Sequence, residues 1–231
     1  MIELRRADSR GHADHDWLDT WHSFSFAQYY DPQRMGFRSL RVINEDRIAG
    51  GGGFPMHAHN NMEILTYVVT GALEHKDSMG NGSVIRAGDV QYMSAGSGVA
   101  HSEFNHSRSE VAHLLQIWIV PNVLDAEPRY GQVSITSDAK QNTLKLIASG
   151  EADAPIQLRQ DTRLYACILG ADESVAHAIQ PGRGAWLQII SGKLQVNTIL
   201  AQAGDAIVAE HIPCLKIRAQ EKSEFILFNL A

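Results

Sequence analysis

The chain has 231 residues, 44% hydrophobic and 20% charged, enough for one large β domain or two small ones around a real core. Its net charge of −6 with histidine neutral argues against direct nucleic-acid binding, and Glu3 and Asp8 break up the basic cluster near the start, Arg5, Arg6 and Arg10. No run approaches the ~20 apolar residues of a membrane span, and Cys167 and Cys214 are too few and too far apart for a disulfide framework.

The N-terminus, MIELRRADSRGHADHDW, has no apolar core of a signal segment, so a cytoplasmic location is expected. His12, His15 and His22 follow at spacings that match no site with later histidines, and they read as structural. "SLRVIN" (39–44) is the first clear strand. The glycine run "AGGGGF" (49–54) lacks the lysine and helix signal of a phosphate loop, so it reads as a close backbone approach.

"GFPMHAHNNMEI" (53–64) then places His57 and His59 two apart. On a strand both face the same way and can share a metal. The pair alone is weak evidence: with 11 histidines in 231 residues, chance yields roughly half of one. Glu63 shares their parity only if the strand runs through Asn60 and Asn61, which look like a turn; a fifth ligand, a partner orienting an imidazole and a salt-bridge residue are all open, with the orienting role favoured.

"EILTYVV" (63–69), "DVQYMSA" (89–95) and "HLLQIWIV" (113–120) are further strands, separated by "MGNGS" (79–83), with its Asn-Gly hairpin signal, and "RAGD" (86–89). Between them "GSGVAHSEFN" (96–105) carries His101 and Glu103, again two apart. Two such pairs on neighbouring strands can converge on one ion. Three imidazoles and a carboxylate suit Fe, Mn, Ni, Cu or Zn rather than Ca or Mg. No GxSxG elbow surrounds Ser94, Ser97 or Ser102, which argues against a serine hydrolase.

"VPNVLDAEPRY" (120–130) reads as a connection, with a domain boundary near 121–140. Beyond it a weak repeat emerges. "LTYVVTGAL" and "RAGDVQYMSAG" return as "LQIISGKL" and "QAGDAIVAEH", with Gly71 matching Gly192 and Gly88 matching Gly204. The second copy has only the isolated histidines His177 and His211 and is expected to lack a metal site.

"GGGFPMHAHNNMEILTYVVTG" resembles the first cupin motif, with Gly51, His57, His59 and Glu63 in register. "AGDVQYMSAGSGVAHSEFN" resembles the second, with Gly88, His101 and Asn105. The wording of "WHSFSFAQYYDPQRMGFRSLRVINEDRI" and "EHKDSMGNGSVIRAGDVQYMSAGSGVAHSE" is similar to that of the pirin family over roughly residues 10–120. Gly71 falls one residue late, and "SAGSG" replaces the usual Pro-x-Gly.

The resemblance implies an all-β bicupin: two jelly-roll β-barrels face to face, a metal-binding one over 1–125 and a metal-free one over 126–231. It implies His57, His59, His101 and Glu103 as ligands of one divalent metal, Fe(II) first, with Mn, Ni, Cu and Zn as alternatives, and excludes Glu63. Pirins include quercetin 2,3-dioxygenases, so the implied reaction opens a flavonol with O₂ to a depside and carbon monoxide. Glu103 is the candidate general base. A monomer is expected. Met56, Met93, Phe24, Phe26 and Phe37 are candidate cleft walls, although core packing is the simpler role for each. The alternative is a metal-dependent redox sensor or transcriptional cofactor that binds protein partners through the same four ligands. A decarboxylase or isomerase of small acids would need cations aimed into the barrel, and Arg38 and Arg41 have opposite parity.

Overall fold

A computed structural model describes all residues, Met1–Ala231. The chain forms two compact units. The N-terminal unit comprises Arg10–Ser134 and Leu158–Gln160, and the C-terminal unit comprises Met1–Ser9, Ile135–Gln157 and Asp161–Ala231. The boundary lies inside the expected zone 121–140, while the units differ from the ranges 1–125 and 126–231. The division falls after Ser134, and the first nine residues belong to the later unit.

The strands are short, as alternating apolar patterns bounded by turns dictate. In chain order they are β1 (Ile2–Arg5), β2 (Gly11–Asp14), β3 (Leu18–His22), β4 (Leu40–Ile48), β5 (Gly53–His59), β6 (Glu63–Thr70), β7 (Ala72–Asp77), β8 (Gly82–Arg86), β9 (Asp89–Ser94), β10 (Val99–Asn105), β11 (Ala112–Ile119) and β12 (Arg129–Ser134). Then follow β13 (Lys145–Ser149), β14 (Ile156–Gln157), β15 (Thr162–Leu169), β16 (Ser174–Ala178), β17 (Gly184–Ser191), β18 (Lys193–Val196), β19 (Ile199–Gln202), β20 (Ala206–Glu210), β21 (Cys214–Ala219) and β22 (Ser223–Leu230). The one α-helix spans Ser137–Lys140, capped by the Thr136 hydroxyl. No helix is long and apolar enough to cross a membrane.

Each unit has a seven-stranded and a four-stranded sheet. In the N-terminal unit these run β12-β9-β6-β11-β4-β3-β2 and β5-β10-β7-β8. In the C-terminal unit they run β1-β20-β17-β22-β15-β13-β14 and β16-β21-β18-β19. The orders correspond strand for strand, apart from the edges, so the weak sequence repeat is a duplicated jelly roll. Gly71 and Gly192, with φ of 77° and 81°, make the same left-handed turn, as do Gly88 and Gly204 at 88° and 82°.

The two inner faces are filled differently. In the C-terminal unit Leu215, Ile217 and Ala219 of β21 join Leu187, Phe225 and others in one apolar core. In the N-terminal unit three of the four inward positions of β10 are polar, His101, Glu103 and Asn105, with Val99 the fourth. Two smaller apolar clusters take the place of that core, one around Leu18, Ile48, Leu73 and Leu114 and one around Ile64, Met93 and Val99.

The glycine run does bring backbones together. A Cβ on Gly53 would lie 2.5 Å from the Glu103 carbonyl oxygen and 2.5 Å from the Phe104 Cα. The absence of a side chain there lets β5 lie against β10 with His57 opposite His101. Gly53→Ala is expected to push the strands apart, lowering stability by about 1–3 kcal/mol and metal uptake with it; thermal melting and metal content of the purified variant check this.

Candidate metal centre and its cavity

His57 and His101 are direct cross-strand partners on β5 and β10, and His59 lies two residues along the same face. The three rings form one cluster, with centroid separations of 4.5–4.9 Å. Their ligating atoms all lie within 4.8 Å of one another. Nε2 of His59 and Nε2 of His101 are 3.0 Å apart. Two nitrogens bound at right angles to one ion at about 2.1 Å would be separated by about 3.0 Å.

Burial favours the neutral form of His59 and of His101. Burial, with His57 close by, lowers the pKa of His59 to about 4. Burial, with His57 and His59 adding to it, lowers that of His101 to about 3. Neutral rings are what a metal requires. His57 Nδ1 donates to the Pro55 carbonyl at 2.7 Å, which leaves Nε2 as the lone-pair nitrogen. Nδ1 of His101 is buried with no hydrogen-bond partner. These donors fit a divalent transition metal.

Glu103 also faces the cluster but belongs to a second group. Its carboxylate lies within 4.8 Å of His101 and His75, rather than forming one set with His57 and His59. Its Oε1 accepts from the Thr66 hydroxyl at 3.2 Å and its Oε2 from the Gln116 amide at 2.5 Å. Burial pushes its pKa up to about 7, against these two donors and with help from the charge of Asp46.

His75 stands opposite Glu103 on β7. Gln91 Nε2 donates to its Nδ1 at 2.7 Å, and its Nε2 donates to Asp77 at 3.1 Å. Both ring nitrogens are therefore engaged, and His75 supports the site without a free lone pair. The alternation Leu73–His75–Asp77, with Glu74 and Lys76 facing outward, could have revealed it.

The donors to Glu103 and His75 come from one line of residues. His22, Asn44, Gln116, Thr66 and Gln91 stand directly opposite one another across β3, β4, β11, β6 and β9. All five are buried. This polar rung crosses the inside of the large sheet and faces the histidines of the small sheet.

Glu63 orients none of these imidazoles, contrary to the expectation. Asn61, at φ 48°, breaks the strand after His59. Glu63 therefore opens β6 in the other sheet, where it accepts from Tyr92 and Ser94, each at 2.6 Å, and from the Arg159 backbone N–H at 2.9 Å. It pins the returning segment Leu158–Gln160 to its unit.

A cavity of about 430 Å³ opens above the cluster. His57, His59, His101 and Glu103 all line it. Phe54 and Trp17 form one aromatic wall, stacked edge to face at 5.1 Å. Trp118 and Phe26 form another, with Trp118 edge-on to His59 at 5.0 Å. Of the expected wall residues only Phe26 lines it: Met93 and Phe24 are buried in the core, and Met56 is exposed. Trp17, Phe54 and Trp118 were missed. So were His15 and His22, which line the cavity, while His12 stacks on Trp21 and pairs with Asp19.

Replacing His57 or His101 with alanine should remove most bound metal, whereas His177→Ala should leave metal content at the wild-type level; elemental analysis after reconstitution decides. A second expectation concerns Asp46. Burial, with Glu45 and Asp19 nearby, raises its pKa to about 7. A raised carboxyl pKa means the folded state holds the proton longer, so this group lowers stability as pH rises from about 4 to about 7. In metal-free protein, Asp46→Asn should raise the melting temperature more at pH 8 than at pH 4, and an equal gain at both would contradict the buried-acid assignment.

The pirin family model matches residues 3–119, and the model of the quercetinase C-terminal cupin domain matches 146–230. The chain is 46% identical over 230 residues to a quercetin 2,3-dioxygenase of Escherichia coli K12, covering 100% of this chain and 99% of that one. It is 39% identical over 234 residues to a pirin-like protein of Caulobacter vibrioides, with full coverage of both. Among solved structures, the bacterial pirin YhhW of Escherichia coli in complex with nickel(II) superposes with a TM-score of 0.95 at 44% identity, covering 100% of this chain and 99% of that one. Both halves of the duplicated jelly roll are thus accounted for, and the chain belongs to the pirin family.

Proposed function

We propose that this protein is a metal-dependent dioxygenase that opens flavonols such as quercetin with O₂, giving a depside and carbon monoxide. The observation that carries the reading is the aromatic-walled cavity with three clustered imidazoles and a buried carboxylate on its lining. Relatives named quercetin 2,3-dioxygenase across the full chain support it.

His57, His59 and His101 would hold the metal, with Glu103 completing the set. We take Fe(II) as the first candidate on family grounds; the same donors serve Mn, Ni, Cu and Zn. A bound divalent ion supplies Lewis acidity toward the substrate's oxygens and toward O₂.

The chain's own residues do the rest. The paired walls, Trp17–Phe54 and Phe26–Trp118, offer flat apolar surface to a planar ring system and keep water from it. Glu103 takes the proton of the flavonol 3-hydroxyl and becomes a carboxylic acid. Its carboxylate lies on the cavity lining, where the hydroxyl of a bound flavonol can reach it. Thr66 and Gln116 hold the carboxylate while it titrates.

Metal-loaded protein should consume quercetin and O₂ over many turnovers with release of carbon monoxide. Glu103→Gln should lower kcat by a factor of about 10² or more. Stoichiometric metal binding without turnover for any of the five ions would contradict the enzyme assignment and favour the sensor.

A further inference from the structure

The cavity has a second polar region whose groups do not themselves take the substrate proton. It is built on β3 and β4, where Thr20 stands opposite Asp46 and His22 opposite Asn44. All four side chains are buried and all four line the cavity. The Thr20 hydroxyl donates to Asp46 Oδ1, and no protein group donates to Asp46 Oδ2. His22 Nδ1 donates to Asn44 Oδ1 at 2.8 Å, which leaves Nε2 as an acceptor with no protein partner.

Neither group is needed to hold the strands together, because the backbone ladder between β3 and β4 already does so. A carboxylate and an imidazole on buried residues are costly where apolar side chains would fit, and both of these face the cavity. Each becomes favourable when a ligand hydroxyl reaches it. Phe26 and Tyr29 hold the His22 ring, with centroids at 5.3 and 6.4 Å, so its edge is fixed rather than free to turn away. The same cavity thus offers an acid-lined, acceptor-rich patch in addition to the histidine cluster.

We propose that Asp46 and His22 form a recognition subsite for the remote hydroxyls of a polyphenolic ring, so that the protein selects hydroxylated flavonols over the bare flavonol nucleus. One hydroxyl donates to Asp46 Oδ2 and another to His22 Nε2. The proposal rests on the flavonol reading and deepens it. Burial, which raises the Asp46 pKa to about 7, lets its carboxyl act as acceptor or donor toward a hydroxyl near neutral pH. Burial also lowers the pKa of His22, keeping the ring neutral.

The test compares quercetin with 3-hydroxyflavone, which keeps the 3-hydroxy-4-oxo end and lacks every remote hydroxyl. Both are titrated anaerobically into metal-loaded protein and followed by flavonol absorbance. Wild type should bind quercetin at least about tenfold more tightly, since a site built to hydrogen-bond a hydroxyl discriminates against a ligand lacking it. Asp46→Leu and His22→Phe should each shrink that ratio, and the double variant should bring it to about twofold or less. His22→Phe keeps the stack with Phe26 and Tyr29, so it serves even if Asp46→Leu does not fold. Equal affinities in wild type, or a ratio unchanged by the substitutions, would overturn the subsite while leaving the flavonol reading intact. Failure of wild type to bind either compound would overturn both.

Discussion

Polar groups inside a small β-barrel must find partners there or destabilise it, and the N-terminal unit is organised around that constraint. Three imidazoles and the Glu103 carboxylate project from the small sheet into a space where a jelly roll ordinarily packs apolar side chains. The large sheet answers with a line of amides, a hydroxyl and an imidazole at one register level, from His22 to Gln91. Gln116 and Thr66 of that line hold Glu103, and Gln91 holds His75. Site geometry and barrel register are therefore the same fact. A slip of one residue on β11 would turn Gln116 outward, and one on β6 would turn Thr66 outward, so either would leave buried Glu103 with a single donor.

The C-terminal unit shows the same scaffold without that constraint. Its strand order repeats, and its left-handed glycines fall at the same turns. Yet the strand equivalent to β10 carries Leu215 and Ile217 inward, and a single apolar core fills the space. Comparing the halves separates what the fold requires from what the chemistry requires. The glycine turns belong to the first class, the histidines and the polar rung to the second. Burial raises the pKa values of Glu103 and Asp46, so both acids are held on the cavity lining at a cost in stability.

Much of this was legible locally. Strand periodicity placed β4, β6, β9 and β11 within a residue or two at most ends, except that β4 runs on to Ile48. The two-residue spacing put His57 with His59, and His101 with Glu103, on common faces. What failed to show was non-local. His75 lies in the highly charged "EHKD", whose outward Glu74 and Lys76 hide an inward histidine. His22 and Asp46 become site residues only because β3 and β4 lie across the barrel from β10, which spacing cannot reveal. Glu63 was misjudged because its partner Arg159 lies 96 residues further on. The transfer of Met1–Ser9 to the later unit is equally invisible without knowing that β1 pairs with β20.

The most direct test of this account is a crystal structure of the metal-loaded protein with quercetin bound in the absence of O₂. It should place one ion among His57, His59 and His101, with the flavonol's 3-hydroxy end toward Glu103 and its rings between Trp118 and Phe54. An ion held by other residues, or a flavonol bound outside the cavity, would contradict the assignment of this site as the place where the flavonol ring is opened.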